Sequence, residues 1–113
     1  MLTPYRVLDC TNDEGQLAGL MLAQMGADVI MVEPPAGSPA RRRSPFAEVG
    51  SPRGATSLWH SAYNRGKRSV VLDLATPTNS GDGGVDARRF EALAATADVL
   101  LWSGRPGELP FEP

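Results

Sequence analysis

Seven of the eleven Lys and Arg residues fall between positions 41 and 68: Arg41, Arg42, Arg43, Arg53, Arg65, Lys67 and Arg68. Glu48 alone opposes these seven, so the segment carries +6 in a chain of formal net charge −2. Guanidinium groups offer planar, two-pronged donors that match phosphate oxygens. The chemistry suggested is capture of a phosphorylated ligand, and a solvated charged loop is the bland alternative. Nucleic acid is the competing polyanion. Trp59 and Tyr63 flank the arginines and could stack on bases, yet no recognised nucleic-acid module is visible and the sequence pI of about 5.3 is far from basic.

Other chemistries lack their parts. His60 and Cys10 are the only histidine and cysteine, too few for a metal cluster or a Ser-His-Asp set. His60 reads as a surface or packing residue. Cys10 lies in an apolar run and reads as a buried, inert thiol in a reducing, cytoplasmic setting. Asp9, Asp28, Asp73 and Asp98 fall in strand or strand-edge segments, where structural hydrogen bonding is the expected role. No run approaches the ~20 apolar residues that span a bilayer, so no membrane partner is expected.

A chain of 113 residues with 42% hydrophobic and 21% charged residues suits one domain with a single modest core. "YRVLDC", Tyr5 to Cys10, is rich in strand formers and is followed by the polar turn "TNDEG". From Gln16 the apolar residues Leu17, Leu20, Met21 and Met25 recur at three and four positions, which predicts a helix over Gln16 to Met25 closed by Gly26. "DVIMVE", Asp28 to Glu33, is a continuous apolar run suited to a parallel strand buried on both faces. Further strands are predicted at Ser69 to Leu74 and Asp98 to Trp102. A helix over Asp86 to Ala97 places Phe90, Leu93, Ala94 and Ala97 on one face. This alternation predicts a doubly wound, Rossmann-like α/β fold with an open parallel sheet.

Pro34 to Thr56 has no period and is longer than most connections in compact domains. "SLWHSAYNRGK" after it allows a turn or two of helix before Asn64-Arg65-Gly66. The long basic loop leaves the carboxyl end of the second strand, which in open α/β sheets borders the ligand crevice. Glu33 lies where nicotinamide-binding domains place a ribose-binding acid, but "NDEGQLAG" supplies only Gly15 and Gly19 in place of G-x-G-x-x-G.

Taken together, "VLDCTNDEG", "MGADVIMVEPPAGSPARR", "NRGKRSVVLDL" and "ADVLLWSGRPG" resemble the amino-terminal part of the class III CoA-transferase family, which includes formyl-CoA transferase and α-methylacyl-CoA racemase. The resemblance implies a Rossmann-like domain that cradles CoA or acyl-CoA, in polypeptides that pair as interlocked rings. The fold is expected to be incomplete relative to the family. By position in the family's motifs, Asp13, Glu14 and Gly15, Leu72, and Ser103 with Gly104 approach the cofactor. Pro34 stands where some members carry a phosphate-binding arginine, and Arg41 or Arg42 is expected to substitute from the loop. Glu14-Gly15-Gln16 replaces the usual Ala-Gly-Pro, and Trp102-Ser103-Gly104 replaces Glu-Asn-Phe.

The family's catalytic aspartate lies beyond the equivalent of Pro113, and members are several times longer. The expected function is therefore a CoA-binding portion, inactive alone, that requires no metal and works as an oligomer or with a complementary chain. Two alternatives differ in class: a noncatalytic nucleotide-binding or regulatory subunit, and a remnant that keeps the fold without a ligand. Met1 suggests a natural start, whereas "GELPFEP" ends in a Pro-rich tail rather than a further helix. The acyl substrate is not legible at this level.

Overall fold

A computed structural model of the chain describes residues 2–47, 55–74 and 85–104. Residues 48–54, with Arg53, residues 75–84, and residues 105–113, with the Pro-rich tail, lie outside the described residues.

Four parallel strands form the main sheet: β1 (Arg6–Cys10), β2 (Asp28–Glu33), β5 (Arg68–Val71) and β6 (Val99–Trp102), in the order β5-β2-β1-β6. Strand β2 coincides with its predicted span, and β1 begins one residue inside the Tyr5 to Cys10 segment. Strand β5 stops at Val71, although the Leu72 amide still donates to the Glu33 carbonyl at 2.9 Å. Register is pinned by charge as well as by pattern. Asp28 of β2 accepts from Arg6 Nε of β1 at 3.1 Å and from Arg68 Nε and Nη2 of β5 at 3.0 and 2.6 Å, so one carboxylate ties three strands. Asp98 in turn accepts from the Arg6 amide at 2.9 Å.

Helix α1 (Gln16–Gln24) covers one face of the sheet and α3 (Val85–Ala94) the other. Because side chains alternate along a strand, Leu8 and Ile30 meet Phe90 and Leu72 on the α3 face, while Val7 and Val29 meet Ala27, Leu22 and Ala23 on the α1 face. Phe90, Leu93, Ala94 and Ala97 pack inward from α3 and its end as their spacing predicts. Helix α1 behaves differently. Its Leu17, Met21 and Met25 are 52%, 58% and 43% exposed, and Gln16 and Gly19 are the buried positions. Gly26, at φ +101°, ends this helix in a left-handed conformation that side-chain-bearing residues adopt at a cost.

The long connection is partly structured. A 3-10 turn at Pro39–Arg42 is capped by Ser38, whose hydroxyl accepts from the Ala40 amide, and β3 (Phe46–Ala47) pairs antiparallel with β4 (Thr56–Ser57). Ser57 then caps the short helix α2 (Leu58–Tyr63) by accepting from the His60 amide at 3.2 Å.

Candidate functional site

The alternation that buries Val7 and Val29 also carries Asp9, Met31 and Glu33 to the α1 face at the carboxyl end of the sheet. Two carboxylates inside a protein require partners, and each has a full set. Asp9 accepts from Lys67 Nζ at 2.6 Å, the Thr11 hydroxyl at 2.5 Å and the Thr11 amide at 3.1 Å. Lys67 spends its other two ammonium protons on the Gln16 carbonyl at 3.0 Å and Asn64 Oδ1 at 2.8 Å. Both side chains of this ion pair are wholly buried. Glu33 takes Arg41 in a two-pronged contact at 2.5 and 2.8 Å, the Ser38 amide at 2.9 Å and the Ser69 hydroxyl. Burial by itself would raise its pKa; the hydrogen bonds from Arg41, Ser69 and Ser38 and the Arg41 charge outweigh this and hold it at about 2.

Gln16 joins the two carboxylate centres. Its Nε2 donates to Ser38 Oγ at 3.1 Å, and its Oε1 accepts from Asn64 Nδ2 at 2.8 Å. The result is one hydrogen-bonded chain from Arg41 through Glu33, Ser38, Gln16, Asn64 and Lys67 to Asp9. Asn64, Lys67, Arg68 and Ser69 of "NRGKRS" each meet a named partner in it or in the Asp28 clamp. Packing also explains the glycine in α1: a Cβ on Gly19 would lie 2.4 Å from Asp9 Oδ2. Glu33, buried and committed to Arg41, is therefore not placed as a ribose-binding acid.

This scaffold shapes a crevice of about 270 Å³ at the carboxyl ends of β1, β2 and β6, lined among others by Thr11, Asn12, Ser38, Trp102, Ser103 and Gly104. Chain order reverses direction at β1, since β2 leaves on one side and β6 returns on the other. Such a switch point is where open α/β sheets take ligands. The Asn12 amide donates to Ser103 Oγ at 2.8 Å, which draws the β1 and β6 loops together. Cys10 also lines the crevice, its thiol pushed up to about 12 by burial and by the Asp9 charge, which makes it a poor nucleophile.

A second cavity, of about 340 Å³, is lined by Asp13, Glu14, Leu17, Arg43, Trp59 and Tyr63. Arg43 lies 4.0 Å over the Trp59 ring and donates to Asp13 at 2.7 Å, and the Trp59 and Tyr63 rings sit 4.7 Å apart. The residues singled out from sequence thus divide. Ser103 and Gly104 line the first crevice, and Asp13 and Glu14 line the second. Gly15 packs against Thr11, and Leu72 buries its side chain in the core, leaving only its backbone near the strand ends. Arg41 is engaged by Glu33, and Arg42 donates Nη1 to the carbonyls of Ala36 and Gly37 at 3.1 and 3.4 Å. Sequence reading did not place Gln16, Asn64 and Lys67 in the site; three polar residues beside apolar or basic runs were the available signal. His60 lies against Asn64, its pKa lowered by burial and by the Arg41 charge. No group of three or more metal-ligating side chains occurs among the described residues, and none of their helices is long and apolar enough to cross a membrane.

A family profile described as CoA-transferase family III matches residues 2–110. The chain is 40% identical over 105 residues to the succinyl-CoA:(R)-benzylsuccinate CoA-transferase subunit BbsE of Thauera aromatica, covering 93% of this chain and 24% of that protein. It is 41% identical over 109 residues to the probable fatty acyl-CoA transferase Rv3272 of Mycobacterium tuberculosis, covering 96% and 25%. A solved structure of a CAIB/BAIF family protein from Brucella suis matches with a TM-score of 0.77 and 30% identity, over 94% of this chain and 26% of that one. The chain spans about a quarter of the length of these relatives.

Proposed function

The chain belongs to CoA-transferase family III, and on that premise we propose that it is a CoA- or acyl-CoA-binding portion whose ligand enters the crevice between the β1 and β6 loops. The carrying observation is the position of that crevice at the switch point of the sheet, closed by the Asn12–Ser103 contact. Its walls supply hydroxyl, amide and backbone groups and, among the described residues, no carboxylate. Acyl exchange through a covalent intermediate needs a carboxylate at the thioester carbon. Five of the described aspartates are instead committed to structural partners: Asp9 to Lys67, Asp13 to Arg43, Asp28 to Arg6 and Arg68, Asp86 to the Asp73 amide and Arg89, and Asp98 to the Arg6 amide. On this reading the nucleophile comes from polypeptide other than these residues, and the chain alone neither transfers nor racemises acyl-CoA.

Arg42 is the better phosphate ligand of the two arginines considered, because its exposed guanidinium is tied to carbonyls and to no described carboxylate. The reading extends to a cytoplasmic setting and to association with a second copy or a complementary chain. The uncharged helix α1, with Leu17 and Met21 more than half exposed, supports association. Calorimetry with CoA and dephospho-CoA at two salt concentrations tests the binding reading. The expected result is tighter binding of CoA, affinity that falls with salt, and loss of the preference in Arg42→Ala. Equal affinity for both ligands in the parent would remove the loop from the phosphate site, and no binding of either would favour a ligand-free remnant. Exchange of radiolabelled CoA by the purified chain alone would refute the division of labour.

A further inference from the structure

The second cavity carries information about the acyl group, an inference that rests on CoA binding in the first crevice. The same two loops wall both spaces. Thr11 and Asn12 line the first while Asp13 and Glu14 line the second, and Ser38 and Pro39 of the first are followed by Arg43 of the second. The two linings are consecutive at the Asn12–Asp13 peptide, so a thioester held at the switch-point crevice has this cavity as its neighbour.

The lining there is aromatic and acidic. Three of its side chains are an indole, a phenol ring and a leucine. Its charges are two carboxylates and one guanidinium, and that guanidinium is already neutralised by Asp13 and stacked on Trp59. One negative charge is left over. The Trp59 Nε1–H is buried with no hydrogen-bond partner among the described residues, a polar atom that a ligand oxygen could satisfy once the indole shifts. A cavity of this size and character accepts flat or branched apolar groups. A free carboxylate on the acyl group would meet Glu14, with no unpaired cation among the described lining residues to receive it.

We infer that this chain selects acyl groups that are uncharged and apolar, aromatic ones above all, through Trp59, Tyr63 and Leu17, and rejects dicarboxylic acyl groups through Glu14. Specificity here comes as much from the repulsion as from the attraction.

The two tryptophans of the chain permit a clean test, because Trp102 lines the first crevice and Trp59 the second. In the Trp102→Phe variant, emission reports the second cavity alone. It is titrated with the benzoyl and succinyl thioesters of N-acetylcysteamine, which lack the nucleotide and so do not depend on the first crevice. The expected result is saturable quenching by the benzoyl thioester, with an affinity at least about tenfold above that of the succinyl thioester. In Glu14→Gln, which keeps the Arg43–Asp13 pair, the gap should narrow at least about threefold. Equal or tighter binding of the succinyl thioester, or no response of Trp59 to either, overturns the inference. Titration of Trp59→Phe with CoA reads Trp102, and a failure there counts against the CoA reading while leaving the thioester result to stand or fall by itself.

Discussion

Replacing Gly19 with alanine should destabilise this protein, against what helix propensity dictates. In an exposed helix interior, Gly→Ala stabilises by about 1 kcal/mol. Here the added Cβ would stand 2.4 Å from Asp9 Oδ2 and 3.0 Å from Lys67 Cε and Nζ. A carboxylate tip at the surface would swing aside cheaply. Asp9 cannot, because Thr11 holds Oδ1 through two hydrogen bonds and Lys67 holds Oδ2, all in a site closed to water. Separating a buried ion pair costs about 3–5 kcal/mol, so after the propensity gain the net loss is about 2–4 kcal/mol. Urea unfolding followed by circular dichroism measures it, and the thermal midpoint should fall by about 8 °C or more. The control is the same substitution in an Asp9→Ala/Lys67→Met background, where the obstacle is gone and Gly19→Ala should be neutral or stabilising. A neutral or stabilising Gly19→Ala in the parent would refute the reasoning, since the pair would then yield without penalty.

Acid stability should report Glu33. Its folded pKa of about 2 lies below the ordinary 4.5, so its contribution, about 3 kcal/mol, is present above pH 4.5 and is lost as pH falls from there to 2. Glu33→Gln should lose that amount at pH 7 and flatten the decline below 4.5; parallel pH profiles for parent and variant would contradict this. Cys10, with its thiol at about 12, should react with iodoacetamide at pH 8 about a thousandfold more slowly in the folded chain than in urea, as followed by intact mass. Rapid labelling of the folded protein would mean that the thiol is neither buried nor beside a fixed Asp9 charge.

The elements were legible because their signals are local. The apolar run Val29 to Val32, framed by Asp28 and Glu33 and punctuated by Gly26 and Pro34, can hardly be other than a buried strand, and Phe90, Leu93, Ala94 and Ala97 fall on one side of any helix drawn through them. The crevice was legible in part, since alternating strands and helices imply a parallel sheet whose strand carboxyl ends share one edge, and Ser103 with Gly104 follows the last strand, whereas the strand order came from the fold. Helix α1 shows where local reasoning stops. The stripe of Leu17, Met21 and Met25 has helical period yet faces outward, while Gln16 and Gly19 point in, because the sheet beneath carries Asp9, which needs a cation and space rather than leucine.

The arginines show the same limit. Composition concentrates seven cations between positions 41 and 68 and so determines that this segment meets negative charge. It is silent on whose charge. Only the folded chain brings Glu33 to Arg41, Asp13 to Arg43, Asp28 to Arg68 and Asp9 to Lys67, pairs separated by 8 to 58 residues. Coulomb attraction depends on distance in space and on exclusion of water, and neither is written in the order of residues. Sequence therefore determined the sheet, its helices and the family, while the tertiary structure decided which cations are spent inside the fold and which cavity is left for a ligand.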